Sequence, residues 1–116
     1  MIFYKDKKTG FCIPSKDLLP NENYIEIKPN VEEAALEKHI PVYKKKDGKI
    51  LVTVGSVEHP MTDKHYIMWI ALIKDDNIII KELLPTEKPQ AEFNYLEASE
   101  IYAYCNLHGL WKKEVE

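Results

Sequence analysis

The chain has 116 residues, 45% of them apolar and 30% charged, with a formal net charge of −3 at pH 7. That length suits one domain able to bury a core without disulfide staples, and the lack of a basic excess argues against a nucleic-acid binder. The longest uninterrupted apolar run, Tyr66–Ile73, is too short to cross a bilayer, and the opening MIFYKDKKTG turns polar at once, without the apolar stretch of a secretion signal. The expectation is a cytoplasmic protein that binds neither nucleic acid nor membrane.

Residues 1–30 are the least patterned part of the chain and are expected to form a short N-terminal arm, with residues 31–116 making the main domain. Within the arm only Tyr24-Ile25-Glu26-Ile27 reads as a strand. The next segment, VEEAALEK at 31–38, has helix-favouring residues and is expected to form a turn or two, stopped by Ile40-Pro41. Lys44-Lys45-Lys46-Asp47-Gly48-Lys49 reads as a solvated hairpin around its Asp-Gly turn. Strands are then predicted at Ile50–Val54, Tyr66–Ile73, Ile78–Leu84, Ala91–Leu96 and Ile101–Cys105, short runs rich in β-branched and aromatic residues. Asp75-Asp76-Asn77 separates two of them, and Pro85 and Pro89 interrupt the next connection. Strands at this spacing, in a chain of this length, predict an all-β antiparallel sandwich or barrel.

The chemistry-bearing residues gather at the strand edges. Four histidines, His39, His59, His65 and His108, fall with Cys105 into three groups: Glu37-Lys38-His39-Ile40-Pro41, His59-Pro60-Met61 leading to His65-Tyr66, and Cys105-Asn106-Leu107-His108-Gly109. Loops at one end of a sandwich can converge, and neutral imidazole and thiolate are both good donors to first-row metals. Cys105 and His108, three apart, can be aimed at one ion by a tight turn whose amides point back at the sulfur. Taken singly, a histidine beside a strand is ordinarily a surface or satisfied core residue, and Cys-x-x-His recurs by chance. It is the gathering of all of them at strand ends that predicts a metal site, with the metal left open. The second cysteine, Cys12, sits in a chain without a secretion signal, so a disulfide with Cys105 is not expected.

From about Leu36 to Trp111 the chain resembles the superoxide reductases, the desulfoferrodoxin and neelaredoxin group. The resemblance rests on Glu37-Lys38-His39-Ile40-Pro41, Val54-Gly55 leading to His59-Pro60-Met61, His65-Tyr66-Ile67 with Trp69-Ile70, and Cys105-Asn106-Leu107-His108-Gly109-Leu110-Trp111. It implies an immunoglobulin-like β-sandwich and one non-haem iron, cycling between Fe2+ and Fe3+. His39, His59, His65 and His108 would lie in the iron's plane and Cys105 on its axis, with the position opposite the sulfur open to superoxide. The implied activity is one-electron reduction of superoxide to hydrogen peroxide, with electrons from rubredoxin or a similar donor, in a homo-oligomer (dimer or tetramer). Lys38 would steer the anion and stabilise charge near the site, and Glu37 would ligate the ferric ion after turnover. Two-iron members carry an N-terminal module whose second iron is held by four cysteines; Cys12 is the only cysteine in that region here, so this chain resembles the one-iron type and Cys12 is expected to be a structural thiol.

Three rival readings fit the residues less well. A blue-copper site would want an axial methionine shortly after the Cys/His pair, and none follows His108. A closed structural zinc site favours four ligands with more thiolates. Dismutation of superoxide would share the substrate but also evolve oxygen, and an axial thiolate favours one-way reduction. Trp69, Trp111 and Tyr66 are expected as core or site wall, and nothing requires Met61 to bind a metal.

Overall fold

In the computed structural model, which describes residues 1–19 and 22–116, ten strands and one short helix follow in chain order among the described residues. They are β1 (Ile2–Asp6), β2 (Cys12–Ser15), β3 (Tyr24–Ile27), α1 (Leu36–His39), β4 (Pro41–Lys46), β5 (Lys49–Val54), β6 (Ile67–Lys74), β7 (Asn77–Glu82), β8 (Gln90–Asn94), β9 (Glu100–Cys105) and β10 (Gly109–Glu114). All pairings are antiparallel, in three sheets ordered β2-β1-β3, β10-β9-β6-β7 and β4-β5-β8. Among the described residues no helix is long and apolar enough to cross a membrane.

The four-stranded and three-stranded sheets face each other as a seven-stranded sandwich of the immunoglobulin-like kind. Ile50, Val52 and Val54 of β5 and Ala91 and Phe93 of β8 meet Ile70 and Leu72 of β6 and Ile101, Ala103 and Cys105 of β9 in the core between them. The other face of the four-stranded sheet is buried too. Trp69, Ala71, Ile73, Tyr102, Tyr104 and Leu110 pack there against Phe3 and Cys12, with Phe3 tilted on Tyr102 at 4.5 Å between ring centroids. Burial on both faces accounts for the unbroken apolar runs of β6 and β9, where a half-buried strand would alternate. It also explains β1–β3: strands of four or five residues with mixed patterning, held by the sheet they cover.

A bulge in β6 sets the parity of that strand. The register of β6 on β9 shifts between Ile67 and Trp69, so Ile67 and Ile70 both reach the sandwich core while Trp69 turns outward. This local kink aims the start of β6, and the loop before it, toward one end of the sandwich.

One segment differs from expectation. The helix is a single turn at Leu36–His39, with residues 31–35 irregular; Glu37-Lys38-His39 is held there by bonds to neighbouring loops more than by helix propensity. The lysine-rich segment is the exposed hairpin expected of it, formed by the end of β4 and the start of β5, and Lys45 Nζ donates to the Glu116 carbonyl (2.6 Å) and lies over the Tyr95 ring (4.6 Å). Its Asp47-Gly48 turn has both residues at positive φ (52° and 76°), as a two-residue hairpin requires.

Candidate metal centre

The starts of β4, β6 and β10 and the ends of β5 and β9 meet at one end of the sandwich, because Pro41 pairs with Val54 and Cys105 with both Ile67 and Gly109. Every predicted ligand is carried there. His39 closes α1 just before β4, His59 and His65 lie in the β5–β6 loop, Cys105 ends β9, and His108 lies in the β9–β10 turn.

The four imidazoles stand at the corners of a near-square. Neighbouring ring centroids are 4.7 Å (His39–His59), 4.7 Å (His59–His65), 5.0 Å (His65–His108) and 4.9 Å (His108–His39) apart. The His39–His65 separation is longer, 6.4 Å, as a diagonal must be. Neighbouring planes meet at 72–81°, whereas the diagonal pair is tilted by only 28°. Cys105 Sγ lies 3.5 Å from His59 Nε2 and 3.9 Å from His108 Nδ1. Donor atoms of His39, His59, His65 and Cys105 all lie within 4.8 Å of one another; His108 completes the ring through its ring contacts and stands outside that tighter group. His39, His59 and Cys105 are buried, while His65 and His108 are half-buried, so the centre opens toward the latter pair.

The donor set fits a cation. His39 Nδ1–H donates to the Ala35 carbonyl (2.8 Å) and His59 Nδ1–H to the Pro60 carbonyl (2.7 Å). Each ring therefore presents a bare Nε2 lone pair inward, and the two Nε2 atoms are 3.1 Å apart. Two lone pairs at that distance repel unless a positive charge lies between them. His65 Nε2 is likewise buried with no hydrogen-bond partner, a costly arrangement for a polar atom that a metal would relieve. Burial holds the Cys105 thiol above its ordinary value, while the amides of Leu107 and His108, donating to the sulfur, pull the other way. Those amides stabilise the thiolate that a metal would require.

Several residues that arrange the ligands lie within the motifs quoted above. Asn106, between the two ligands of the Cys-x-x-His turn, accepts from the Tyr66 amide (3.0 Å) through Oδ1 and donates to the Lys64 carbonyl (3.0 Å) through Nδ2; its backbone amide donates to the Tyr66 carbonyl (3.2 Å). It staples the His65 loop to the Cys105 turn. Gly55 lets the β5–β6 loop press on α1, where the Glu37 carbonyl accepts from the Val57 amide (2.9 Å) and the Ser56 hydroxyl (3.3 Å). Trp111 is a wall of the site, its ring 5.0 Å from His39 and its Nε1–H donating to the His108 carbonyl (3.0 Å). Trp69 is elsewhere, under β1 and β2, donating to the Cys12 carbonyl (3.1 Å). Met61 faces the core and accepts from the Ile67 amide (3.4 Å). Cys12 is a free buried thiol, pushed up to about 12 by its burial.

Burial depresses the imidazoles, since a charged ring loses its water: His39 and His65 fall below 6.5, and His59 to about 4. An unfolded chain takes up those protons near 6.5, so the metal-free protein has full stability above that pH. It should lose stability as the pH drops, until His59 protonates in the folded state as well near 4. At about 1.4 kcal/mol per unit, His59 alone accounts for roughly 3 kcal/mol across this interval. Urea unfolding of the metal-free protein at about pH 7 and about pH 4.5 checks this, and His59→Asn should shrink the difference by that share. An equal loss in both proteins contradicts it.

The family model described as Desulfoferrodoxin matches residues 31–114. The chain is 45% identical over 95 residues to a desulfoferrodoxin of Clostridium acetobutylicum, covering 82% of this chain and 76% of that one. It is 36% identical over 100 residues to a superoxide reductase of Pyrococcus abyssi, covering 69% of this chain and 87% of that protein. The crystal structure of the superoxide reductase from Treponema pallidum superposes with a TM-score of 0.74 at 33% identity, over 95% of this chain and 98% of the other. The chain belongs to the desulfoferrodoxin family, the family of the superoxide reductases. It is an oxidoreductase, and its cofactor is a non-haem iron, for which the histidine and cysteine donors above are suited.

Proposed function

We propose that this chain reduces superoxide to hydrogen peroxide by one electron at a mononuclear iron that His39, His59, His65, His108 and Cys105 would hold. The observation that supports it most is the near-square of imidazoles with one sulfur against it. Bound there, iron supplies the electron that, with two protons from solvent, converts superoxide to hydrogen peroxide. The protein's part is to hold neutral imidazoles through the Ala35 and Pro60 carbonyls, and a sulfur whose charge is tuned by two amides. Held by five protein donors, the iron would have room for a small anion, and the half-buried side of the ring would give it a path. Electrons come from rubredoxin or a similar donor. The working form is a cytoplasmic homo-oligomer in which residues 31–116 form the iron domain and residues 1–30 an arm without a second metal centre.

Lys38 and Glu37 stand on the exposed face of α1. The charge of Lys38 bears on both His39 and His65, and that of Glu37 on His39. Lys38 would draw superoxide toward the opening, and Glu37 would ligate the oxidised metal. Lys38→Ala should lower the second-order rate with superoxide by about tenfold and flatten its salt dependence, because steering by a single cation is screened within a Debye length. Pulse radiolysis over a range of ionic strengths reads both effects, and an unchanged rate removes Lys38 from the reaction. The function itself is tested by anaerobic mixing of the reduced, iron-loaded protein with superoxide. Oxidation of the iron with one peroxide formed per superoxide and no oxygen is expected; oxygen evolution would establish dismutation instead.

A further inference from the structure

We propose that Met61 is an oxidation site through which hydrogen peroxide switches off the metal centre. The proposal rests on the function given above only for the source of the oxidant, since peroxide would be formed beside this side chain. Between the two histidines of the β5–β6 loop, one side chain reaches the sandwich core. Pro60, Thr62, Asp63 and Lys64 are exposed, and Met61 alone among the residues between His59 and His65 is drawn inward.

Met61 packs against the cluster that holds Val54, Ile67 and Cys105, and its Sδ accepts from the Ile67 amide (3.4 Å). Ile67 lies opposite Cys105 in the register of β6 on β9, so the thioether sits beside the strand pair that presents the thiolate. Past Met61 the chain turns back on itself, and the amides of Thr62 and His65 each donate to the other's carbonyl (2.9 and 3.2 Å). The Asn106 side chain holds the far end of that turn, at Lys64 and Tyr66. Met61 is the apolar contact that seats its near end.

Peroxide oxidises a thioether to a sulfoxide. One oxygen passes to Sδ as the O–O bond breaks, the second leaves as water, and the sulfur gives up two electrons; nothing else is consumed. One sulfur lone pair is taken up by the Ile67 amide, which leaves the other for the incoming oxygen. The flexible apolar anchor thereby becomes a polar group. Its oxygen has no place among Val54, Ile67 and Cys105 without a hydrogen-bond donor. The side chain leaves the core, the loop follows, and His59 and His65 lose their positions in the square of imidazoles. The other two methionines are internal controls. Met1 is 40% exposed at the start of the chain, and Met68 packs with Trp69 on the opposite face of the four-stranded sheet; oxidation of either leaves the loop alone.

Adding peroxide to the iron-loaded chain tests this, with a coloured chelator to follow released iron and peptide mass mapping to locate the added oxygen. Oxidation at Met61 is expected to track iron release, and the map resolves it from oxidation at Met1, Met68, Cys12 and Cys105. Met61→Leu keeps an apolar anchor without the sulfur and should slow peroxide-driven iron release by at least about tenfold, whereas Met68→Leu should release iron at the native rate. Met61→Gln sets a polar group of similar length at the same place and should weaken cobalt(II) binding by at least about tenfold with no peroxide present. Methionine sulfoxide reductase should restore metal binding to the oxidised chain. Iron release with Met61 unoxidised, oxidation of Met61 without iron release, native-rate release from Met61→Leu, or native cobalt(II) affinity in Met61→Gln would each overturn the proposal. None of these measurements uses superoxide, so a failure to form peroxide from superoxide would overturn the proposed function and leave the Met61 result standing.

Discussion

Cys105→Ser should yield a folded protein that has lost both its visible iron–thiolate absorption and most of its hold on the metal. Cys105 is fully buried at the end of β9 with its sulfur against His59 and His108. A serine oxygen can accept the amides of Leu107 and His108 in its place, so the turn keeps its hydrogen bonds and the core loses little volume. What disappears is the anionic donor. A hydroxyl stays protonated where a thiol gives up its proton to a metal, so four neutral imidazoles remain with no charge to balance the cation. Loss of a direct ligand should weaken iron binding by at least the roughly 100-fold that removal of an outer partner can cause. Competition with a chelator measures the affinity, and the visible spectrum of the oxidised protein reports the sulfur directly. Retention of both, with unaltered circular dichroism, would remove Cys105 from the metal centre.

The sandwich strands and the candidate ligands were legible in the sequence to different depths. β5 to β9 announce themselves through apolar or alternating runs: β6 and β9 are buried on both faces, β5 and β8 alternate, and β7 keeps a run of isoleucines at a sheet edge. β4 and β10 do not: Lys44-Lys45-Lys46 and Lys112-Lys113-Glu114 look solvated, yet their backbones complete the two sheets, and a strand at a sheet edge can carry charge on every exposed position. β1 and β2 are equally silent, since Phe3 and Cys12 are buried only through contact with Trp69, Tyr102 and Tyr104, residues far away in the chain. The donors themselves could be read because metal chemistry restricts residue type. Their arrangement could not: the bonds of Asn106 to Lys64 and Tyr66, and of Ala35 and Pro60 to two imidazoles, join a side chain to a backbone group and leave no trace in hydrophobic period.

These bonds also say how the geometry is kept. Each ligand loop is tied to a different one: α1 to the β5–β6 loop through the Glu37 carbonyl, and the β5–β6 loop to the Cys105 turn through Asn106. His108 is tied down by Trp111. These ties hold the donors facing one another, with two opposed lone pairs and one nitrogen that a cation would satisfy.

Gly55 is where this frame is most vulnerable. It follows β5 at φ +86°, a region closed to most side chains, and a Cβ there would lie 2.3 Å from the Val57 carbonyl oxygen, 2.7 Å from the Glu37 carbonyl oxygen and 2.8 Å from the Lys38 carbonyl carbon. All three obstacles are backbone, so nothing can swing aside; either the β5–β6 loop or α1 must move. Movement of α1 carries His39 away from His59, and movement of the loop carries His59 and His65. Gly48 supplies the control, since it too has positive φ (+76°) but no atom within 4 Å of its would-be Cβ. Gly48→Ala should cost only the conformational penalty, about 1 kcal/mol. Gly55→Ala adds a backbone collision and should cost on the order of 3 kcal/mol or more. It should also weaken cobalt(II) binding by at least about tenfold in protein that remains folded, an effect absent in Gly48→Ala. Thermal unfolding of the metal-free proteins and cobalt titration followed by visible absorption separate the two losses. If Gly55→Ala matched Gly48→Ala in both, the close approach of α1 to the β5–β6 loop would have no part in placing the histidines.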